Sequence, residues 1–177
     1  MKRIFAKKMD SLGTETAFEV LAKAKALEKQ GREIVHLEIG EPDFDTPNNI
    51  KEAAVKALKD GYTHYVPASG IPELRMVIAE YLSESRGIDV DPEEVVVTPG
   101  AKPIIFFSIL ACVESGDEVM YPNPGFPIYE SMINFVGAKP VPMPLKEEND
   151  FRIDNKDTVD KITKKTKMII LNSPENP

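Results

Sequence analysis

From Val95 onward the chain repeats one rhythm: a short apolar run, a break rich in proline, glycine or asparagine, then a longer stretch of helical period. Val95-Val96-Val97 leads into Thr98-Pro99-Gly100-Ala101-Lys102-Pro103 and a helix reaching about Glu114. A strand at 118–121 precedes a helix near Phe126–Val136, and a strand at 139–142 follows it. After a further loop and helix comes Met168-Ile169-Ile170-Leu171, the most strand-like run in the chain. Strands this short, and apolar on both faces, need cover on both faces; parallel neighbours also need helical crossovers between them. The rhythm therefore predicts an α/β fold, a mixed and mostly parallel sheet flanked by helices. The helix carrying Ile104, Ile105, Phe106, Phe107, Ile109, Leu110, Ala111 and Val113 is apolar all round, so burial on most sides is expected.

Upstream, Phe18, Leu21, Ala24 and Leu27 recur at helical spacing within residues 15–30, and Gly31 is placed to end that helix. Ile34 to Ile39 alternates as a strand would, breaking at Gly40. Glu41-Pro42-Asp43-Phe44-Asp45-Thr46-Pro47 reads as a loop, with Thr46 as a capping hydroxyl before a proline in the first helical turn. Ile50, Ala53, Ala54, Ala57 and Leu58 share one face of a helix ending near Gly61; Leu74, Val77, Ile78, Tyr81 and Leu82 share one face of the next. The acidic residues Glu41, Asp43 and Asp45 alternate through a proline-rich turn, where turn and capping chemistry explains them better than a metal does.

Composition narrows the function classes. Over 177 residues, 42% are hydrophobic and 29% charged, as in ordinary globular proteins, and the formal charge is −7. That balance argues against a nucleic-acid footprint, which needs clustered positive charge. The densest basic stretch, Lys161 to Lys167, is broken by Ile162, Thr163 and Thr166 and reads as a solvated helix end. The single cysteine, Cys112, excludes an internal disulfide and lies in an apolar run, where a small core residue is expected. The first residues are basic but lead into Met9-Asp10-Ser11 rather than an apolar stretch. Neither a membrane partner nor a secretory route is expected, and the cytoplasm is the expected location.

The residues best placed for chemistry lie at the strand ends. At 97–103 a strand gives way to a glycine turn and a helix whose early proline needs no N–H partner. The amides of such a first turn, with the helix dipole behind them, suit a phosphate, and Lys102 adds positive charge. An ordinary strand-to-helix turn has the same letters. The segment has neither the glycine-lysine-hydroxyl ending of a P-loop nor the three glycines of a dinucleotide fingerprint. Two further strand-end loops, Pro122-Asn123-Pro124-Gly125-Phe126-Pro127-Ile128-Tyr129 and Asn172-Ser173-Pro174-Glu175-Asn176-Pro177, offer an aromatic face and an asparagine amide. Ligands of α/β sheets bind at such carboxyl ends.

Three segments carry a family resemblance. Leu37-Glu38-Ile39-Gly40-Glu41-Pro42-Asp43-Phe44-Asp45-Thr46-Pro47 resembles the opening signature of class I aminotransferases, the fold-type I pyridoxal-phosphate enzymes related to aspartate aminotransferase. Tyr62-Thr63-His64-Tyr65-Val66-Pro67-Ala68-Ser69-Gly70-Ile71-Pro72-Glu73-Leu74-Arg75 is similar to a second family segment. Asn172 to Pro177 resembles the start of the family's asparagine-proline-threonine-glycine motif. The resemblance runs from about residue 10 to the last residue, in family order.

It implies residues 1–46 as an N-terminal arm and small-domain segment, and 47–177 as the first part of the cofactor-binding large domain. It implies pyridoxal 5'-phosphate as cofactor, an L-amino acid and a 2-oxo acid as substrates, and a homodimer with shared sites. Gly100, Ala101 and Lys102 match the phosphate turn, although the family often has a hydroxyl residue where Lys102 stands. Phe126 matches the aromatic residue stacked on the pyridine ring, and Asn176 the asparagine bonded to the cofactor's phenolic oxygen. Gly40 matches the backbone against the substrate carboxylate. Tyr65 matches the tyrosine that reaches the neighbouring subunit's cofactor. Tyr129 falls near the ring, where a packing role is equally open.

None of the chain's lysines matches the one that binds the cofactor covalently, so no catalytic residue is assigned within the 177 residues. In the family that lysine, the aspartate at the ring nitrogen and the arginine gripping the substrate carboxylate all lie further along. The first large-domain strand is also separated in space from the later ones by strands encoded later still. These residues are therefore expected to fold natively and act only together with the rest of a subunit. A C–S lyase or cyclase on the same fold, or a non-catalytic module reusing it, remains open alongside the transaminase.

Overall fold

The computed structural model describes residues 4–13 and 16–176, with the backbone alone for Thr16. The basic first residues, residue 15 of the expected first helix and the closing Pro177 lie outside the described residues. The chain divides into two compact units, one formed by Met1–Gly40 with Lys102–Pro177 and the other by Glu41–Ala101.

The first unit is built on a parallel three-stranded sheet in the order β2-β1-β3, with β1 at Glu118–Asn123, β2 at Lys139–Pro144 and β3 at Thr166–Ile169. Pairing on both sides makes β1 the centre, and its Val119 and Met120 are fully buried. The sequence of β2 dictates its place at the edge. Pro140, Pro142 and Pro144 stand at alternate positions, so their missing N–H groups all fall on one side of the strand, which cannot be the paired side. The opposite side bonds β1: Lys139 N–H donates to Asp117 O and Leu145 N–H to Asn123 O, both at 2.8 Å. A register shift between Glu118 and Val119 leaves Lys167 unpaired on β3 as a bulge.

Helices α1 (Thr16–Glu28), α4 (Ala101–Cys112), α5 (Ile128–Phe135) and α6 (Asn155–Asp160) accompany the sheet. Ile109 and Val113 from the α4 segment, Val119 and Tyr121 from β1, and Tyr129, Met132 and Ile133 from α5 form the core. The expectation that α4 is buried on most sides needs correcting. Only Ile109 is buried, while Ile104, Phe107 and Leu110 are about half exposed, because a single layer of chain lies against one face of the helix. Cys112 is likewise exposed and free, where a core residue was expected. At the N-terminal end, Gly13 N–H donates to Ser131 Oγ at 2.9 Å, and the Lys8 ammonium lies 4.6 Å from the centre of the Phe135 ring.

The expected strand at 34–39 does not form. Its alternation is present, but no described strand pairs with it, and Val35 and Leu37 are over four-fifths exposed. Instead His36 is held between two carboxylates, Nδ1 at 2.6 Å from Glu38 Oε1 and Nε2 at 2.8 Å from Glu28 Oε1 at the end of α1.

The second unit holds α2 (Asn48–Lys59), α3 (Pro72–Arg86) and a 3-10 turn at Pro92–Glu94. Thr46 does not cap α2; Pro47 occupies the N-cap position, with no side-chain cap bond. The apolar face expected on α2 is uncovered in the unit, Ile50 and Leu58 both standing more than half exposed. Helix α3 begins at Pro72 and stops at Gly87, whose left-handed backbone lets its N–H reach Ser83 O. Val95 to Val97 is extended but pairs in no sheet, against expectation. Its backbone is held otherwise: buried Arg75 donates Nε–H to Val95 O at 2.9 Å, and Val97 N–H donates to Ser69 O at 2.9 Å.

Candidate functional site

Parallel strands place their carboxyl ends along one edge of a sheet, and on that edge the loops after β1 and β3 come together. Beyond β1 the chain turns through a cis Asn123–Pro124 bond and doubles back on the strand end. A Cβ on Gly125 would stand 2.3 Å from Pro122 O, so only glycine fits there. The turn delivers Phe126, half-buried, at the strand end. Its ring meets Tyr129 edge to face, with centroids 5.9 Å apart and planes at 88°. Tyr129, the second residue of α5, is 5% exposed.

The loop after β3 carries a cis Ser173–Pro174 bond, then Glu175 and Asn176. Glu175 Oε2 is buried with no hydrogen-bond partner among the described residues. Burial holds this carboxyl above its usual range. Burial, and next to it the Glu175 charge, also pushes the Tyr129 phenol up. Asn176, the residue after Glu175, is exposed. The third participant is Lys102 in the first turn of α4, whose ammonium lies 5.7 Å from the centre of the Phe126 ring, within cation–π range.

The turn before α4 is described on its own side of the division between the units, which falls between Ala101 and Lys102. Gly100 takes φ +90°, a backbone that side chains rarely adopt; its N–H donates to Thr98 O at 2.8 Å, and Thr98 Oγ1 donates to Gly100 O at 2.7 Å. The helix starts at Ala101, two residues before the proline expected to open it. Its first-turn N–H groups point out along the axis toward the glycine turn. Of the expected site residues, Lys102 and Phe126 come together, and Asn176 is exposed on the loop after β3. Gly100 and Ala101 form the local turn, and Gly40 is exposed with open space around its Cα. Tyr65, in the second unit, is fully exposed beside a shallow cavity of about 530 Å³ lined by Ala57, Tyr62, His64, Val66 and Ile71.

Glu175 and Gly125 stand within their motifs with no role that the sequence alone assigns. The signal for Gly125 is a glycine between two residues of a proline-rich turn at a strand end. For Glu175 it is an ionisable residue between a proline and the motif asparagine.

The sequence profile described as aminotransferase class I and II matches residues 32–177. The probable aspartate/prephenate aminotransferase of Aquifex aeolicus (strain VF5) is 42% identical over 177 residues, which is 100% of this chain and 45% of that protein. The aspartate aminotransferase of Pyrococcus horikoshii is 45% identical over 159 residues, covering 90% of this chain and 40% of that one. Among solved structures, the aspartate aminotransferase of Thermus thermophilus with maleate superposes with a TM-score of 0.92 at 39% identity, covering 99% of this chain and 46% of its own. The chain thus spans a little under half the length of the relatives it matches.

Proposed function

The chain belongs to the aminotransferase class I and II family, and from that premise we propose that it supplies the cofactor-seating portion of a pyridoxal-phosphate-dependent aminotransferase. The whole protein moves an amino group from an L-amino acid to a 2-oxo acid. The observation that carries this reading is the meeting of Lys102, Phe126 and Tyr129 at the carboxyl end of β1.

These residues fit a flat, phosphorylated ring. Phe126 is half-buried against the core, with Tyr129 and the Lys102 ammonium beside it, which leaves part of the ring accessible for stacking. Gly100, Ala101 and Lys102 hold the phosphate, the glycine letting backbone approach the anion and the helix dipole favouring its charge. The Asn176 side-chain amide donates to the phenolic oxygen. Gly40 offers backbone to the substrate carboxylate, which no side chain there would obstruct. Pyridoxal phosphate, once bound, supplies the electron sink that lets an amino acid lose its α-proton.

The proton-transferring lysine, the carboxylate at the ring nitrogen and the substrate-binding arginine belong to the portion of the subunit outside these 177 residues. That division is supported by the 45% of the Aquifex relative that the chain covers. Residues 1–46 act as arm and small-domain segment, and 47–177 as the first part of the large domain. Tyr65, projecting fully into solvent, reaches the phosphate of a second subunit's cofactor in a homodimer. The free, exposed Cys112 suits a reducing compartment such as the cytoplasm.

The test is made on the complete polypeptide. Titration with pyridoxal phosphate is expected to give a saturable new absorbance band, and an L-amino acid with a 2-oxo acid acceptor to give steady keto-acid release. Phe126→Ala is expected to weaken cofactor binding about 3- to 10-fold, the worth of one aromatic contact. A protein that binds no cofactor, or binds it without any dependence on residue 126, refutes the assignment.

A further inference from the structure

A neutral imidazole carries one N–H, and a carboxylate accepts hydrogen bonds but donates none. His36 meets a carboxylate at both ring nitrogens: Nδ1 lies 2.6 Å from Glu38 Oε1, and Nε2 lies 2.8 Å from Glu28 Oε1. Only the imidazolium, with a donor on each nitrogen, satisfies both at once. Among the described residues Glu28, at the end of α1, and Glu38, on the ring's own segment, are the charged groups that face it. The Glu38 side chain is only 9% exposed, so an oxygen left unmet there is costly. Both bonds favour the protonated ring and hold its pKa above the ordinary 6.5.

Segment 34–39 pairs in no sheet among the described residues, and Val35 and Leu37 stand in solvent. His36 thus ties to α1 a stretch that no strand ladder holds. Gly40 follows Glu38 by two residues, no more than about 7 Å of extended chain. Resting on the proposed function, in which Gly40 offers backbone to the substrate carboxylate, we infer that His36 is a positioning residue: its doubly bonded imidazolium ties the Gly40 segment to α1 and fixes where that carboxylate docks. Loss of the proton leaves one N–H for two carboxylates. One link opens, the segment gains freedom, and the amino acid binds more weakly. His36 touches neither substrate nor cofactor, so the effect falls on KM and leaves cofactor affinity alone.

The experiment is the pH profile of KM and kcat for an L-amino acid, measured on the complete polypeptide with pyridoxal phosphate bound. Dividing each variant's KM by that of the unsubstituted protein at the same pH cancels the ionisations of substrate and cofactor. His36→Gln is expected to raise KM about 3- to 10-fold below the His36 midpoint, the worth of one hydrogen bond, with kcat little changed. Above the midpoint the ratio is expected to fall toward unity, since the unsubstituted tether has then opened too. Glu28→Gln keeps an acceptor for Nε2 but removes its charge, and it serves if the His36 variant fails to fold. It is expected to lower the His36 midpoint seen by NMR and to move the KM transition down by the same amount. A KM ratio that is the same at every pH, or a KM transition that stays put while the midpoint moves, overturns the inference while the proposed function stands. Failure of the unsubstituted protein to bind pyridoxal phosphate or to release keto acid overturns both.

Discussion

At the scale of single residues, the site depends on a few positions where no other side chain fits. Gly125 is the sharpest. Its Cα lies so close to Pro122 O that an added Cβ would stand at 2.3 Å, against backbone that cannot swing aside. Gly125→Ala is expected to destabilise the complete polypeptide by about 1–3 kcal/mol, the usual cost of overpacking, and to weaken cofactor binding by displacing Phe126. Denaturant unfolding and cofactor titration measure the two effects, and an alanine variant unchanged in both contradicts the geometry. Arg75 is the counterpart in the second unit, its Nε–H satisfying Val95 O in a stretch that pairs in no sheet. Arg75→Leu strands that carbonyl, and a loss of about 1–3 kcal/mol is expected on unfolding. Neither role was legible beforehand, since both depend on backbone atoms distant in sequence. The turn at Gly100 was legible from its residue type, and its backbone is left-handed as such a turn requires, whereas the role of the aromatic at 126 came only from the family resemblance.

Secondary-structure elements divide by whether their formation needs a partner. Helices are local, so their periodicity sufficed: α1, α2, α3 and α5 fall within a few residues of expectation, and Gly31 and Gly87 end helices with left-handed backbone. Strands are pairwise. The three whose neighbours lie within 177 residues formed, whereas 34–39 and 95–97 have the letters of strands but no partner among the described residues. The 34–39 segment is tethered instead by His36, whose bonds to Glu38 and then Glu28 raise its pKa above the ordinary 6.5, while the bond to His36 lowers that of Glu38 below 4.5. A raised histidine pKa contributes stability below the unfolded value and loses it as pH rises through the folded one. A lowered glutamate pKa contributes above its unfolded value and is lost as pH falls through the folded one. The tether is therefore strongest between about 4.5 and 6.5 and releases on the alkaline side. NMR titration of His36 is expected to give a midpoint above 6.5 that moves back toward it in Glu38→Gln; an unmoved midpoint contradicts the pairing.

For the molecule as a whole, the apolar surface left open bears on what the 177 residues can do alone. Ile104, Phe107 and Leu110 on α4, Ile50 and Leu58 on α2, and Leu171 just past β3 are each about half exposed or more, far more than a finished α/β core leaves in water. Expressed by themselves, these residues are expected to aggregate or form a loosened assembly, and to give no keto acid with pyridoxal phosphate and an amino acid. Steady turnover by that piece would contradict the proposal that the proton-transferring lysine lies elsewhere in the subunit.

The most direct measurement is a crystal structure of the complete polypeptide with pyridoxal phosphate bound. The ring is expected on the Phe126 face, with centroids about 4.5–7 Å apart, and the phosphate against the amides at Gly100 to Lys102. A cofactor seated away from these residues, with Phe126 still packed only on Tyr129, would contradict the assignment of this edge as the ring-binding site.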